Sequence, residues 1–470
     1  MAKNKAFLGA FFLIFWVENM VAQTAFSDSK KLLPLSEFLS LIKQNHPVAK
    51  QAKLFTRTAE AELLGAKGGF DPKIYGDYEQ KYFDAKNYFS TGEYGVKIPT
   101  WYGIEVKANY LTSEGVFLSP ENKLPKEGQA LVGVSFPVLQ NLLIDERRAN
   151  LFKARQSQGL NQAERDNLLN DLGIEAVRTY WKWAFSFQQV NIFLQSLNIA
   201  NQRFIAIKST FDLGDRMAMD TLESYTQVQD RSIQYNEATL NFQEASLKLA
   251  NFIWGNSEKP TAFNYQFSPQ KLEELPLSIS ASQKEILVQN LVSNHPLLRS
   301  YGFKFEQLDI DRRLKLEKFK PKLNFNYNFL GNGFQLNNLF SDNYKWGVTF
   351  STSTLFRAER GDVQLAKIKM ENNRLLRDQK ALELTNKLQF FFNELENLQT
   401  QIQTYTNAVD NYRQLLQLEN TRFNLGESTF FLINSRESKY IEAKLKLAKL
   451  QTEYQIARAE ADWASGRLIF

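Results

Sequence analysis

Two very long stretches of the chain repeat apolar residues at helical spacing and contain no proline. All 12 prolines lie at or before Pro321, and the first half also has a long proline-free stretch of its own. Because proline lacks a backbone donor and clashes with the preceding turn, long helices can run only in such stretches. The pattern predicts a long helix and a returning helix twice, over 142–211 and 217–254 and again over 359–423 and 429–465.

The returning helices carry apolar residues spaced by seven. Sustained heptads are typical of coiled-coil seams between long helices. On this pattern alone, an ordinary extended coiled coil or a spectrin-like bundle is the favoured interpretation, because apolar stripes usually form a core. The positions are Val228, Tyr235, Phe242 and Leu249 in the first helix and Tyr440, Leu447, Tyr454 and Ala461 in the second.

Strict alternation of apolar and polar residues replaces the helical pattern in two regions. The clearest segment, 323–329, places Asn between aromatic and aliphatic residues, and 344–350 alternates in the same way. Strand side chains alternate between faces, so one face is lipid-like and the other aqueous. The pattern predicts strands within 73–138 and within 322–352. A soluble hairpin with one wet face is the alternative for any single strand.

Short motifs recur and show that the chain is a duplication. Asn45-His46-Pro47 returns as Asn294-His295-Pro296, and Phe211-Asp212-Leu213-Gly214-Asp215 returns as Phe423-Asn424-Leu425-Gly426-Glu427. Each copy opens with a short helix that has proline in its first turn, and the Leu-Gly pair ends each long helix. The sequence therefore predicts a first repeat over 24–254, an equatorial linker over 255–295 and a second repeat over 296–470.

Composition excludes most catalytic chemistry. The chain has no Cys, which excludes zinc-thiolate sites, iron–sulfur clusters and cysteine nucleophiles. Its two His, His46 and His295, both lie in the duplicated tripeptide, so a His-based metal site or catalytic triad is not expected. The net charge of +6 is spread along the helices without a block of like charge, which does not indicate nucleic-acid binding. The sequence predicts no enzyme activity, no metal and no cofactor.

The first residues have the layout of an export signal. Lys3 and Lys5 precede the apolar run 6–17, and a polar break follows, which predicts a signal peptide over 1–23. The run is shorter than the ~20 residues that span a bilayer as a helix. Residence in a membrane must therefore come through the strands, which are too few to close a barrel within one chain. The predicted barrel is shared between chains.

This order of elements resembles the TolC-like outer-membrane efflux proteins, over essentially the whole mature chain. The resemblance implies a mainly α fold with membrane β, in which duplicated coiled-coil helices and strands form a shared trimeric α/β barrel. Each protomer of the homotrimer would give four strands to a twelve-stranded barrel in the outer membrane of a Gram-negative bacterium, and the helices would extend into the periplasm. It also implies a passive channel of a tripartite efflux or export system. The implied partners are outer-membrane lipid, a periplasmic adaptor (membrane fusion) protein and an inner-membrane pump.

The same resemblance implies where the duct closes. The turns at Phe211, Leu213 and Gly214 and at Phe423, Leu425 and Gly426 would form the periplasmic tip. The candidate gate residues beside them are Asp215, Arg216, Asp220, Glu427 and Arg436.

Second-repeat positions near the tip depart from the family pattern. Ser428 stands where well-studied members have a gating arginine, and Leu432 and Ser435 stand where they have constriction aspartates. Solvated helix-end charges are an equally open interpretation of the candidate gate. An apolar gate would instead use Met217, Met219, Phe430 and Phe431.

One competing function is left by the sequence. A periplasmic structural coiled-coil protein, anchored by a small barrel, would have no transport lumen. The first half also holds more residues in its strand region than the second, and these have no counterpart in the minimal family pattern.

Overall fold

Two helices of unusual length set the dimensions of the molecule. The computed structural model describes residues 31–255, 267–272, 280–333 and 343–468. Helix α3 (Glu146–Asp212) has 67 residues and helix α7 (Arg357–Asn424) has 68. At a rise of 1.5 Å per residue, each is about 100 Å long. The predicted signal peptide over 1–23 lies outside the described residues.

Shorter helices pack along these two. Helix α4 (Ala218–Ala250) returns along α3, and α8 (Phe430–Ala464) returns along α7. Four more, α1 (Leu35–Asn45), α2 (Pro47–Lys67), α5 (Ala281–Asn294) and α6 (Pro296–Glu317), complete the helical part. Helix α2 packs on α3, and α6 lies between α3 and α7. Among the helices that the structure describes, none is both long enough and apolar enough to cross a lipid bilayer.

The duplicated Asn-His-Pro tripeptide forms the start of α2 and of α6. In each copy the proline occupies the first turn, where its missing N–H is not needed. The backbone N–H of Val48 donates to Nδ1 of His46 over 3.2 Å, and that of Leu297 donates to Nδ1 of His295 over the same distance. Both histidines therefore act as helix N-caps.

Burial of the His295 cap makes the stability of the fold depend on pH. Burial lowers the pKa of His295 from 6.5 to about 4. The unfolded chain gains a proton at this residue as the pH falls through 6.5, whereas the folded chain gains it only near 4. Stability should therefore fall across this window, by about 3 kcal/mol at most. We expect His295→Asn, which keeps a capping oxygen but does not titrate, to unfold with a midpoint that varies less between pH 6.5 and 4.

The control for this measurement is the equivalent first-repeat residue. His46 is half-buried, and burial lowers its pKa as well, although less than that of His295. His46→Asn should therefore change the pH dependence of thermal unfolding less than His295→Asn. If the unfolding midpoint of His295→Asn depended on pH as strongly as that of wild type, the pH dependence could not come from the buried His295 cap.

The predicted seam residues divide into buried and half-buried positions. Phe242 and Leu249 of α4 and Tyr454 and Ala461 of α8 are buried. The remaining members, Val228, Tyr235, Tyr440 and Leu447, are half-buried. Phe242 belongs to a core around Tyr180 and Trp183, and Tyr454 to a second core around Leu395 and Phe392. The two largest apolar cores of the described helices thus each contain seam residues of one returning helix.

A short parallel strand pair fastens the linker region to the first core. Strand β1 (Lys31–Leu33) pairs with β6 (Phe267–Pro269). The buried hydroxyl of Tyr180 donates to the carbonyl of Leu33 over 2.7 Å and accepts from the backbone N–H of Gln270 over 3.1 Å. The predicted equatorial linker, 255–295, therefore contains β6 and α5 among its described residues.

Six antiparallel strands form one sheet at the end of the long helices. In spatial order they are β2 (Lys73–Phe83), β3 (Lys86–Pro99), β4 (Glu105–Glu114), β5 (Gln129–Pro137), β7 (Lys322–Asn332) and β8 (Tyr344–Ser351). Strands β2 and β8 are its edges. The mainly α fold class with an antiparallel sheet is confirmed.

The number of strands differs from what the resemblance implied. Four strands were expected from each chain, whereas the sheet formed by the described residues has six. The additional residues of the first half form a complete extra hairpin. Its tight turn at Asp84 and Ala85 has positive φ at both residues, which matches the right-handed twist of the flanking strands.

Candidate functional site: the paired turns and the sheet

The two Leu-Gly turns have the same hydrogen-bond pattern. The N–H of Asp215 donates to the carbonyl of Thr210 over 3.0 Å, and that of Glu427 donates to Arg422 over 2.9 Å. Gly214 and Gly426 have φ of 87° and 78°, a left-handed conformation that residues with a Cβ rarely adopt. The duplicated motif therefore encodes the same helix termination twice.

The turns expose apolar side chains at the far ends of the helices. Leu213 is 76% exposed and Leu425 68% exposed. The other exposed apolar residues near the turns are Phe211, Met217, Met219, Leu222, Phe431 and Leu432. Phe423 differs from its counterpart Phe211, because it is buried in a small cluster with Ile207, Phe430 and Ile433. Of the apolar gate alternatives, Phe430 therefore has a packing role.

Arg216 joins the first turn to the second repeat. Its guanidinium lies 3.7 Å from a carboxylate oxygen of Asp220, one helical turn further on. The same group stacks over the ring of Phe423, with 4.2 Å between the guanidinium carbon and the ring centroid. The structure thus brings together two of the predicted gate residues and one of the predicted turn residues.

Arg436 pairs with a carboxylate that the sequence analysis did not single out. Its Nε lies 3.6 Å from Glu419, whose other carboxylate oxygen accepts a hydrogen bond from the Ser428 hydroxyl over 2.5 Å. That hydrogen bond and the nearby arginines lower the pKa of Glu419. Glu419 lies near the C-terminal end of α7, where the helix dipole disfavours a carboxylate. This unfavourable position was the signal that could have revealed it.

The remaining predicted gate residues are exposed. Asp215 and Glu427 make no side-chain ion pair with any residue in the described parts of the chain. The Arg422 guanidinium does reach the backbone carbonyl of Glu427, over 3.3 Å. Within one chain, therefore, the structure does not bring the five predicted gate residues into one network.

A buried polar cluster connects the two repeats about three turns of helix before the Leu-Gly turns. Arg203 of α3 donates to Glu437 of α8, whose side chain is only 3% exposed. Gln227 of α4 donates to Asn434 of α8 over 2.7 Å. Arg231 of α4 donates to the Ser438 hydroxyl over 2.9 Å. We call Arg203, Gln227, Arg231, Asn434, Glu437 and Ser438 the inter-repeat cluster.

Polar atoms of this cluster are left without partners. Oε1 of Glu437 and Nε of Arg231 are buried, and neither has a hydrogen-bond partner among the described residues. Burial lowers the pKa of Arg231. Unsatisfied buried polar atoms cost free energy. The junction between the repeats is therefore held by buried but incompletely satisfied polar interactions.

An open groove lies beside the first turn. It has a volume of about 440 Å³. The rings of Phe204 and Tyr225 lie 5.3 Å apart along it, and Lys208 contributes a charge at the rim. The other lining residues are Phe211, Ala218, Thr221 and Leu222. The exposed apolar surface of the turn continues into this groove.

The two faces of the six-stranded sheet have opposite chemistry. One cross-strand row on the first face contains Ile74, Val96, Ala108, Val132, Phe329 and Tyr344. The exposed side chains of Trp346, Val348 and Phe350 lie on the same face. The second face is mainly polar and carries both charges, with Lys97 and Lys107 beside Glu93 and Glu105. A sheet with one apolar face open to the surroundings needs a lipid or protein environment on that side.

Sequence comparison identifies a family for the second repeat. Residues 287–466 match the family described as outer membrane efflux protein. The matched range includes α6, both second-repeat strands, α7 and α8. A comparison with curated proteins found no match.

Solved structures share the fold over nearly the whole chain. The CmeC outer membrane channel of Campylobacter jejuni is 13% identical, with a TM-score of 0.64 over 92% of this chain and 85% of that one. The outer membrane protein VceC of Vibrio cholerae is also 13% identical, with a TM-score of 0.65 over 92% of this chain and 96% of that one. The open-state MtrE outer membrane channel of Neisseria gonorrhoeae is 13% identical, with a TM-score of 0.65 over 93% of this chain and 89% of that one.

These similarities confirm the resemblance that the sequence predicted. The second repeat carries the sequence pattern of the outer membrane efflux proteins, and the chain has the fold of the TolC-like channels. Proteins of this family are passive channels of the outer membrane rather than enzymes.

Proposed function

Because the chain has this family's pattern and fold, we propose that three copies of it form a passive duct of a tripartite efflux or export system. One observation carries the proposal. The apolar face of the sheet is open, the sheet has two free edges, and it sits at one end of helices about 100 Å long that end in twin turns. A membrane-embedded sheet, a long tunnel and a distant tip follow from this arrangement.

Edge pairing between chains accounts for the free strands. An unpaired strand edge in lipid leaves backbone groups without partners, at a cost of several kcal/mol each. Pairing β8 of one protomer with β2 of the next satisfies both edges and closes the sheet around a threefold axis. Three sheets joined in this way contain eighteen strands. The polar face then lines the interior, and the helices extend into the periplasm.

The absence of cysteine gives a direct test of the edge pairing. Each variant carries two cysteines, one on β2 within 76–80 and one on β8 within 346–350. We expect some of these variants to cross-link neighbouring protomers into covalent trimers. A disulfide forms only when the Cα atoms lie about 4.4–6.8 Å apart. The measurement is non-reducing electrophoresis of protein extracted from oxidised membranes, together with native mass spectrometry of the detergent-extracted wild type.

The matched control is a pair on strands whose edges are already occupied. Cysteines at Ala108 and Phe329 lie on β4 and β7, each of which has neighbours within its own chain. This control should give no cross-link between protomers. A folded wild-type monomer by native mass, or cross-links with equal yield from the control pair, would contradict the shared sheet.

The turns form the closed tip in this proposal. Around the threefold axis, Asp215 and Glu427 of each protomer would meet charged groups of its neighbours, although they have no ion pair within one chain. Arg216 would hold the first turn against Phe423. The inter-repeat cluster keeps the two coiled-coil pairs together behind the tip.

Removing the tip charges should enlarge the opening. We expect Arg216→Ala and Glu427→Ala to raise single-channel conductance in planar bilayers about twofold or more, because ion pairs that are partly desolvated at a constriction outweigh exposed pairs. A loop charge at the other end, Lys123→Ala, is the control and should leave conductance unchanged. Wild-type conductance in both tip variants, with intact trimers, would place the gate at Met217, Met219 or Phe431 instead.

The partners follow from the position of the tip. A periplasmic adaptor would contact the groove beside the first turn, where apolar side chains are exposed, and would connect the duct to an inner-membrane pump. A structural coiled-coil protein without a lumen is the alternative outcome. It would assemble and anchor in the same way but would conduct no ions.

A further inference from the structure

One cross-strand row on the polar face of the sheet is rich in lysine. The register pairs Lys73 with Lys97 and Lys97 with Lys107. It continues through Gly133 and Asn328 to Lys345 at the opposite edge. The row thus crosses all six strands with four lysines and no carboxylate. We call Lys73, Lys97, Lys107 and Lys345 the lysine row.

Three of these lysines are direct neighbours, which is an unfavourable arrangement. Side chains directly opposite on adjacent strands have Cβ atoms about 4.5–5.5 Å apart, and like charges at that spacing destabilise a sheet. Lys97 and Lys107 are half-buried, whereas Lys73 and Lys345 are exposed. None of the four makes an ion pair with another side chain in the described ranges. The row itself therefore contains no counter-charge.

Two carboxylates on the polar face near the row already have partners within the chain. Glu105, one row toward the helices, lies 3.7 Å from Arg147. Glu93, on the other side, accepts hydrogen bonds from the Tyr75 hydroxyl over 3.0 Å and from Asn109 over 2.6 Å. It lies two rows away from Lys97 on the same face, on the far side of the Tyr75 ring.

Lys97 is held in place by an aromatic ring rather than by a carboxylate. Its ammonium lies 4.5 Å from the centroid of the Tyr75 ring. A cation–π contact fixes the position of a charge without neutralising it. The row therefore keeps its positive charge at a defined place on the face that would line the duct.

From this arrangement we propose that the lysine row is an anion-binding belt that makes the duct favour anionic solutes. The inference rests on the proposed duct, because only a closed sheet turns the polar face into a lumen. In a trimer the row supplies four lysines from each protomer. Charge of one sign inside a low-dielectric wall concentrates counter-ions and favours their passage. The class of transported molecule that fits this belt carries carboxylate, sulfate or phosphate groups.

The test is the reversal potential of single trimers under a potassium chloride gradient. The bilayer is zwitterionic phosphatidylcholine, so that anionic lipid headgroups cannot contribute. We expect Lys73→Gln, Lys97→Gln and Lys107→Gln combined to lower the chloride-to-potassium permeability ratio by about threefold or more relative to wild type. The corresponding triple arginine variant keeps the charge and should keep the wild-type ratio.

A second probe and a matched control complete the design. Tripolyphosphate added on the strand side should reduce the current through wild type but not through the triple glutamine variant. The matched control removes three lysines at the other end of the sheet, Lys86, Lys123 and Lys126, and so changes the net charge equally. It should lower the chloride-to-potassium permeability ratio by less than half as much as the triple glutamine variant does. Channels whose selectivity and block are the same in wild type and in the triple glutamine variant would overturn the belt. Trimers that form no channels would instead overturn the proposed function.

Discussion

Phe242→Asp and Tyr454→Asp are each expected to abolish trimer assembly. Phe242 is 2% exposed and packs on the rings of Phe187 and Trp183, with centroid distances of 5.6 and 6.4 Å. Tyr454 is fully buried in the second core. Losing a buried aromatic ring costs about 3–5 kcal/mol, and a carboxylate left without a partner adds several more. The measurement is the yield of trimer by native mass spectrometry after membrane extraction.

Conservative variants at the same positions are the controls. Phe242→Leu keeps an apolar side chain and should assemble. Tyr454→Phe removes a hydroxyl that is buried without a hydrogen-bond partner among the described residues. Because an unsatisfied polar group is lost, this variant should be as stable as wild type or slightly more stable. Wild-type trimer yield from both aspartate variants would show that these positions are not seams.

Breaking the inter-repeat cluster should both destabilise the protein and open the tip. Removing one partner of a buried ion pair leaves the other charge unpaired, at a cost of about 3–5 kcal/mol. We therefore expect Arg203→Ala or Glu437→Ala to lower the thermal unfolding midpoint. We also expect larger single-channel conductance, since this pair joins the coiled coils of the two repeats.

The double substitution separates these two effects. Arg203→Met with Glu437→Met replaces the pair by apolar side chains of similar volume, which is often neutral or stabilising. It should recover the unfolding midpoint, and its coupling energy follows from a double-mutant cycle. The exposed pair of Lys248 and Glu244 on α4 is the control, and Glu244→Gln should change neither quantity. Unchanged conductance in Glu437→Ala would remove the cluster from the gate.

The helices were the most predictable part of the fold, because their signals are local. Proline-free stretches indicated the long helices, and the structure places them at Glu146–Asp212 and Arg357–Asn424. Glycine in the left-handed conformation ended both. These features depend on residues near one another in the sequence rather than on contacts between distant segments, so the sequence alone contains them.

The extra hairpin was harder to see. Strand β3 contains two glycines and runs of small polar residues, so it lacks the strict alternation of β7. Its pairing with β2 depends on a turn of Asp84 and Ala85, which is not one of the strong hairpin signals. The strand is specified by its two neighbours in the sheet rather than by its own pattern.

The inter-repeat cluster could not be read from the sequence for a different reason. Arg203, Arg231 and Glu437 lie on helices that also carry many solvated charges, and nothing local distinguishes them. Their burial arises only when α3, α4 and α8 meet. In the same way, the lysine row exists only once the register of the strands is known.

Single-channel recording in planar bilayers tests the central claim most directly, since only a continuous lumen conducts. Purified wild-type trimers should insert and give small, discrete current steps, because the tip is closed. Glu437→Ala trimers should give steps at least about twofold larger, because the contact between the repeats is lost. Assembled trimers that insert into the bilayer and yet give no steps, in either form, would contradict a duct and favour a structural coiled-coil protein.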